Sequence, residues 1–600
     1  MTARRYINLC FALILIITVR CARQSAPQGG PRDEDPPVVV KSDPPNGTVN
    51  FSGNSFEVTF NEYVLLDNVL QKLQISPPLK EQPSVNTRGK SVLVEFDEGL
   101  NENVTYSFYF QDAIKDLNEG NAFENFQYVF STGATLDSLS VTGKIYDAYS
   151  LNPGDELFVM LYSDHHDTIP RTTMPNYITR AAKDGSFRID NISGGTYSIY
   201  GLTDMNNNKM YDLPNEIFAF IDSTITITAS NNFIPEKPDT LLSGSDSARY
   251  ERIPGAEYEL FFFTAGNRIQ YLTSSDRSFP YLLRFAFAKP VDSASFDIGF
   301  PEYPDAQFLT QVNPERDTFR IWLTDSTLYN NPGIISLLTY PKTDSTGSIS
   351  LTTDTIILRF IAPRPSRGRS EPEAEKLSFK TNLSARAEHK PGQTIYYQFD
   401  TPVVSPDTSG IKLFLSKDTI LIKQPLNIYA DSVIHNRYYL EADFVSGNSY
   451  LLSVDRKAFS DIYGHTMDST AVRFKVANSD KYGAFTINLS GFNGNLIIHL
   501  LKPDEKVVRE RKITLPRDSK IRFDYLDKGQ YLLKAIFDLD GNGKWTTGDF
   551  DEHRQAEPVT YYPEKIDVKV NWELEEDWEF EGLRKKGKAV RPSSGTPGRG

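Results

Sequence analysis

The chain has 600 residues and a formal net charge of −14, room for about four or five domains of ~100–150 residues each. So acidic a chain is a poor polyanion binder, which excludes nucleic acid and broad contact with anionic lipid from the expected partners. Its 38 phenylalanines and 31 tyrosines stand against 6 methionines; aromatic and β-branched stretches broken by Pro, Gly, Asn and Asp favour strands over helices.

Residues 1–20 read as an export signal. Arg4 and Arg5 form a basic start, residues 7–19 are almost wholly apolar, and Cys21 follows Arg20. That order ends at a cysteine that can be lipidated. The apolar run is shorter than the roughly 17–25 residues of a membrane-crossing helix. An uncleaved anchor and plain secretion are the rival readings, and Cys10, inside the apolar run, is the poorer attachment point. Loss of Arg4, Arg5 and Arg20 takes the net charge from −14 to −17. Cys10 and Cys21 are the only cysteines, so no disulfide pair is available to the mature protein. One lipid-bearing cysteine attaches a chain to a membrane without spanning it. Residues 21–35 form the lipidated tether, rich in Gln, Gly and Pro.

Beyond the tether, apolar residues alternate with a period of two. Examples are Phe56, Val58 and Phe60; Phe187 and Ile189; Ile566, Val568 and Val570. Residues 67–73 carry one short helical turn. Short strands at about 8–12-residue spacing predict an all-β chain of tandem β-sandwich modules joined by short linkers.

Internal repeats divide the chain further. Residues 52–66 align with 390–404, and residues 106–132 with 450–476; 285–291 and 344–360 repeat the scheme more faintly. A second type of repeat aligns residues 184–212 with 518–545, in the order strand, Gly-bearing loop, Tyr-bearing strand, Asp/Asn loop. The expected modules are 36–134, 138–226, 250–362, 377–478 and 482–575. The linkers are 229–247 and 363–375, and a basic disordered tail covers 582–600.

The stretch DPPNG at Asp43 to Gly47, the segment from Phe60 to Tyr63 and the closing FSTG at Phe130 to Gly133 resemble the bacterial Ig-like domain of S-layer type. The modules at 250–362 and 377–478 read as Ig-like, the first of them faintly. Those at 138–226 and 482–575 resemble prealbumin-like, carboxypeptidase-regulatory β-sandwiches. With the opening at Cys21, the whole resembles multidomain Ig-like envelope lipoproteins of Bacteroidota type. That resemblance implies an outer-membrane location, on the periplasmic or the surface face, and brings no catalytic activity. Bacterial lipoproteins usually carry Leu, a small residue and Gly or Ala before the cysteine; Thr18, Val19 and Arg20 stand there in this chain.

The sharpest chemical motif starts at Asp538. Asp538, Asp540, Asn542 and Gly543 fit the D-x-[DN]-x-[DN]-G pattern of a calcium loop, with Asp549 at the twelfth position. Calcium takes 6–8 hard oxygens. Asp538, Asp540 and Asn542 are expected to give side chains, Lys544 a backbone carbonyl, Thr546 a ligand or its water, and Asp549 the closing carboxylate. The alternative is an Asx/Gly-rich hairpin that needs no metal. A weaker counterpart holds Asp204, Asn206, Asn208 and Asp212, with no Gly at the sixth position. Any calcium here is expected to be structural.

No HExxH or GxSxG occurs, and the adjacent His165 and His166 read as a solvated loop pair. The glycine- and lysine-rich run near residue 582 imitates a phosphate-binding loop but has Ala589 where Ser or Thr is required. Trp322, Trp545, Trp572 and Trp578 are candidates for stacking on sugar or anchoring a partner, with core packing as the alternative. Trp578, set among Glu and Asp, is the expected interfacial one. The sequence therefore predicts a non-enzymatic, membrane-anchored envelope lipoprotein, a scaffold or accessory subunit of an outer-membrane assembly, with envelope proteins as partners. The alternative is a surface polysaccharide- or cell-binding protein, with a hydrolase of unrecognised site behind it.

Overall fold

The computed structural model describes residues 33–97, 99–228, 257–266, 269–344, 347–361 and 376–580. Cys21, the 1–20 signal, most of the 21–35 tether, the linkers 229–247 and 363–375 and the 582–600 tail lie outside the described residues. What is described is nearly all strand, and no helix in it is long and apolar enough to cross a membrane. One of the few short helices, Val69–Lys72, falls where the sequence indicates a single turn.

Packing divides the chain into two units. The first comprises Met1–Ile145, Asp155–Tyr211 and Ile221–Leu260; the second comprises Tyr146–Gly154, Asp212–Phe220 and Phe261–Gly600.

The first unit opens on a β-sandwich. One sheet orders Val39–Asp43, Ser55–Phe60, Ser91–Glu95 and Ser84–Arg88; the other orders Gln74–Ser76, Thr105–Tyr109 and Gln127–Ser131. Alternation dictates which faces meet: Phe56, Val58 and Phe60 all point inward at 1% exposure or less. Phe56 stacks on Tyr128 at 3.9 Å between ring centroids, and the Tyr128 hydroxyl donates to Pro44 O. The next sheet in this unit sets Phe158–Tyr162 between Tyr177–Arg180 and Gly195–Leu202, while Leu139–Asp147 pairs with Ser186–Ile192. The two modules are tied directly. Ile178 N donates to Ser76 Oγ (3.1 Å) and Arg180 N to Gln74 Oε1 (3.2 Å).

The second unit carries three further sandwich cores. The first lies around Phe285, Phe287, Ile321 and Leu338. The second is built on Ile395, Tyr397, Leu413 and Leu452, and the third on Phe485, Ile498, Tyr531 and Leu533. These are tied as well. Tyr281 and Tyr463 lie 4.5 Å apart between centroids, Gln311 Nε2 donates to Asn436 Oδ1 at 2.8 Å, and Lys390 Nζ meets Asp527 Oδ2 at 3.0 Å. The strand Glu257–Thr264 lies within the module expected at 250–362. Its part Phe262–Thr264 pairs antiparallel with Ile217–Ala219.

The repeats reappear as matched interactions. Tyr197 and Tyr531 are both buried, and each hydroxyl donates to the carbonyl four residues upstream, Ser193 O and Asp527 O. Tyr106 and Tyr450 accept from the backbone N–H five residues upstream, Asn101 and Val445. Asp116 and Asp461, both buried, hold the following loop through its backbone N–H groups.

Candidate metal centre

The strand Gly529–Asp538 runs through the core of the last module and ends on Asp538, still buried at 7% exposure. Beyond it the backbone reverses through Gly541 and Gly543, both at φ +72°, a region that side-chain-bearing residues rarely enter. The loop then closes on its own polar groups. Asp538 Oδ2 accepts from Gly543 N (3.0 Å). Asp540 Oδ1 accepts from Asn542 N (3.0 Å), and its Oδ2 from the Thr546 hydroxyl (2.6 Å) and Asn542 Nδ2 (2.8 Å). Asn542 Oδ1 accepts from Lys544 N at 2.7 Å.

The third carboxylate belongs to Glu557. Ile536 pairs with Val559 in the antiparallel register, so extending that pairing by two residues sets Glu557 opposite Asp538, on the same face. Glu557 is buried. Its Oε1 accepts from Leu539 N (2.7 Å) and Asp540 N (3.3 Å), and its Oε2 from Thr546 N (2.9 Å). One oxygen from each of Asp538, Asp540 and Glu557 lies within 4.8 Å of the others, the one such acidic group among the described residues.

Three carboxylates this close repel one another, by on the order of 3 kcal/mol per ionised pair at an effective dielectric near 20 and less for the exposed Asp540. Burial pushes the Glu557 carboxyl above its ordinary range, with the charge of Asp540 adding to the effect against three backbone N–H donors. Burial also acts on Asp540, but the Thr546 hydroxyl and the Asn542 N–H outweigh it and hold that carboxyl low. Asp538 Oδ1 is buried and has no hydrogen-bond partner.

The acidic group and the expected ligand set differ at the closing position. Asp549 lies outside the acidic group and accepts from Asp551 N and Glu552 N (3.0 and 3.2 Å). It caps the next turn, and the third carboxylate of the acidic group is Glu557. The sequence signal for Glu557 was a carboxylate just before Pro558 and a returning strand; the 12-residue pattern ends before it.

The weaker loop is closed on itself. Asp204 accepts from Asn208 N and Lys209 N, Asn206 also accepts from Asn208 N, and Asn208 accepts from Met210 N. Asp212 N donates to Glu216. None of these belongs to an acidic group of three.

Trp578 is a correction. It is 7% exposed and packed against Tyr562 and Phe580, because its acidic neighbours Glu575, Asp577 and Glu579 occupy the outward face of the strand Glu573–Glu579. Trp322 is also buried, Trp545 is half-buried, and Trp572 is the exposed one at 62%. Trp572 borders a surface depression of about 260 Å³ with Lys565, Asp567 and Lys569. His165 and His166 are exposed, and His165 Nδ1 lies 3.0 Å from Ser198 Oγ.

Residues 33–132 match the family described as bacterial Ig-like domain. No curated protein matches the chain. Solved structures similar to it include the N-terminal part of the bacterial S-layer protein SbsC, at 16% identity and a TM-score of 0.13. That likeness covers 33% of this chain and 42% of that one. BcpA, the major pilin subunit of Bacillus cereus, is similar at 9% identity over 74% of this chain and 99% of its own, with a TM-score of 0.13. Native alpha-2-macroglobulin from Escherichia coli is similar at 13% identity over 51% of this chain and 98% of that one, with a TM-score of 0.18. Likenesses this weak carry no functional information. The chain is all-β and modular, and its N-terminal module is of the bacterial Ig-like kind.

Proposed function

We propose that this chain is a non-enzymatic envelope lipoprotein, held to an outer membrane through Cys21, that serves as a scaffold or accessory subunit of a larger assembly. The observation that supports this reading best is the direct fastening of successive modules within each unit. Edge-strand hydrogen bonds at Ser76 and Gln74, the Tyr281–Tyr463 ring pair and the Lys390–Asp527 ion pair fix the spacing of binding faces, a property a scaffold needs. Detergent-solubilised pull-down of the native protein is the test. Stoichiometric membrane partners are the expected result, and recovery of none would overturn the reading. Cys21→Ser protein that still fractionates with membranes would remove the anchor from it.

A second reading, binding of surface polysaccharide, is favoured by Trp572, whose exposed ring stands beside Lys569 Nζ at 4.7 Å. Aromatic faces stack on sugar rings. Salt-insensitive glycan binding lost in Trp572→Ala would select this reading over the first.

A further inference from the structure

We infer that Asp538, Asp540 and Glu557 form a binding site for a divalent cation of the calcium class. Two independent observations meet here. The three carboxylates converge within 4.8 Å. One buried oxygen among them, Asp538 Oδ1, lacks any hydrogen-bond partner although Asp538 is only 7% exposed. A buried carboxylate oxygen left without a donor is costly unless a cation or another donor meets it. The other Asp538 oxygen is already held by Gly543 N, so the carboxylate that carries the unmet oxygen is fixed in place, and that carboxylate belongs to the acidic cluster.

The donor chemistry selects the ion. Every available ligand is a hard oxygen, and neither cysteine nor histidine enters the group; such a set suits calcium rather than zinc. Glu557 ties both ends of the loop through Leu539 N and Thr546 N, so its position is set before an ion arrives. An ion bound here would also steady what the loop carries. Trp545 donates from Nε1 to Glu557 O at 3.0 Å and meets the Tyr149 ring at 5.0 Å. Thr547 Oγ1 donates to Thr264 O, and Phe550 packs on Phe218 and Phe220. The site is thus a brace for the contacts that bring residues 146–154, 212–220 and 261–264 onto the last module.

The test is calorimetric titration of the full chain, stripped with chelator, with calcium chloride and in parallel with magnesium chloride. One calcium site with a Kd of roughly 10⁻⁵–10⁻³ M is expected, accompanied by a rise in melting temperature. Asp538→Asn and Asp540→Asn should each weaken binding by about tenfold or more, whereas Asp549→Asn should leave it within about twofold. Glu557 also accepts backbone N–H groups, so Glu557→Gln is read only alongside its circular dichroism; the exposed Asp540 supplies the variant that folds regardless. Terbium chloride should give luminescence on tryptophan excitation that Trp545→Phe abolishes while calcium affinity is retained. No calcium binding at about 10 mM, or affinity unchanged in both Asp538→Asn and Asp540→Asn, overturns the site. A tenfold loss in Asp549→Asn with none in folded Glu557→Gln overturns its ligand set.

Discussion

Lys534 directs its side-chain nitrogen onto the face of Tyr149, with Nζ 3.2 Å from the ring centroid. Lys534 is 2% exposed, and Tyr561 offers a second ring at 5.6 Å. A desolvated cation–π contact contributes about 2 kcal/mol. Tyr149→Ala should therefore destabilise the second unit by about 2 kcal/mol, while Tyr149→Phe, which keeps the ring, should cost under about 0.5 kcal/mol. Guanidinium unfolding followed by circular dichroism reads this directly. Equal stabilities for the Ala and Phe variants would show that the ring face contributes nothing.

Asp116 organises a whole loop from inside the first module. At 1% exposure, its Oδ1 accepts from Asn118, Glu119 and Gly120 N–H and its Oδ2 from Asn121 N–H. Burial works against its charge, yet these four donors outweigh it and hold the carboxyl below the ordinary range. The stability this supplies is present above the unfolded value near 3.9 and is lost as pH falls through the lowered folded value. Asp116→Ala leaves four N–H groups without their acceptor and should cost at least about 3 kcal/mol. Thermal melts of the isosteric Asp116→Asn, which keeps one acceptor oxygen, should fall between the two. An Ala variant as stable as the parent would mean that water replaces the carboxylate.

The contrast between Trp578 and Trp572 can be put to the same kind of measurement. Trp578→Ala opens a cavity beside Tyr562 and Phe580 and should cost about 3–5 kcal/mol. Trp572→Ala, at a site 62% exposed, should stay within about 0.5 kcal/mol. Chemical denaturation of both variants checks the pair; a small cost at Trp578 would restore it to the surface.

These three cases also show what was legible in the sequence. Alternation identified the inward residues Phe56, Val58 and Phe60 and Phe187 and Ile189, because a strand repeats every two residues and one face must be buried. The repeats held down to single bonds, as the Tyr197–Ser193 and Tyr531–Asp527 pairs show. The burial of Trp578 is hidden in the composition because Glu575, Asp577 and Glu579 lie on the opposite face of the same strand; composition averages over two faces that burial separates. Glu557 escaped because a loop pattern counts along the chain, whereas antiparallel register brings in a residue from the returning strand. The pairing of Phe262–Thr264 with Ile217–Ala219 is likewise non-local and leaves no spacing to read.

His499 gives the last prediction. It is 6% exposed, with Nε2 3.1 Å from Glu510 Oε2 and an Nδ1 that has no hydrogen-bond partner. Burial pushes its pKa below the ordinary value; Glu510 pulls it back part of the way, and Lys534, its cross-strand neighbour, pushes it down again. The unfolded chain therefore binds the proton first as pH drops. Stability of the last module should be full above about pH 6.5 and decline as pH falls toward the lowered folded value. Below that value both states are protonated and the loss levels off. His389 is shifted in the same direction by burial, so the single curve of the parent protein contains both residues. The difference between the parent and His499→Gln isolates one of them. That difference should depend on pH only in this window, and a pH-independent difference would assign the acid sensitivity elsewhere.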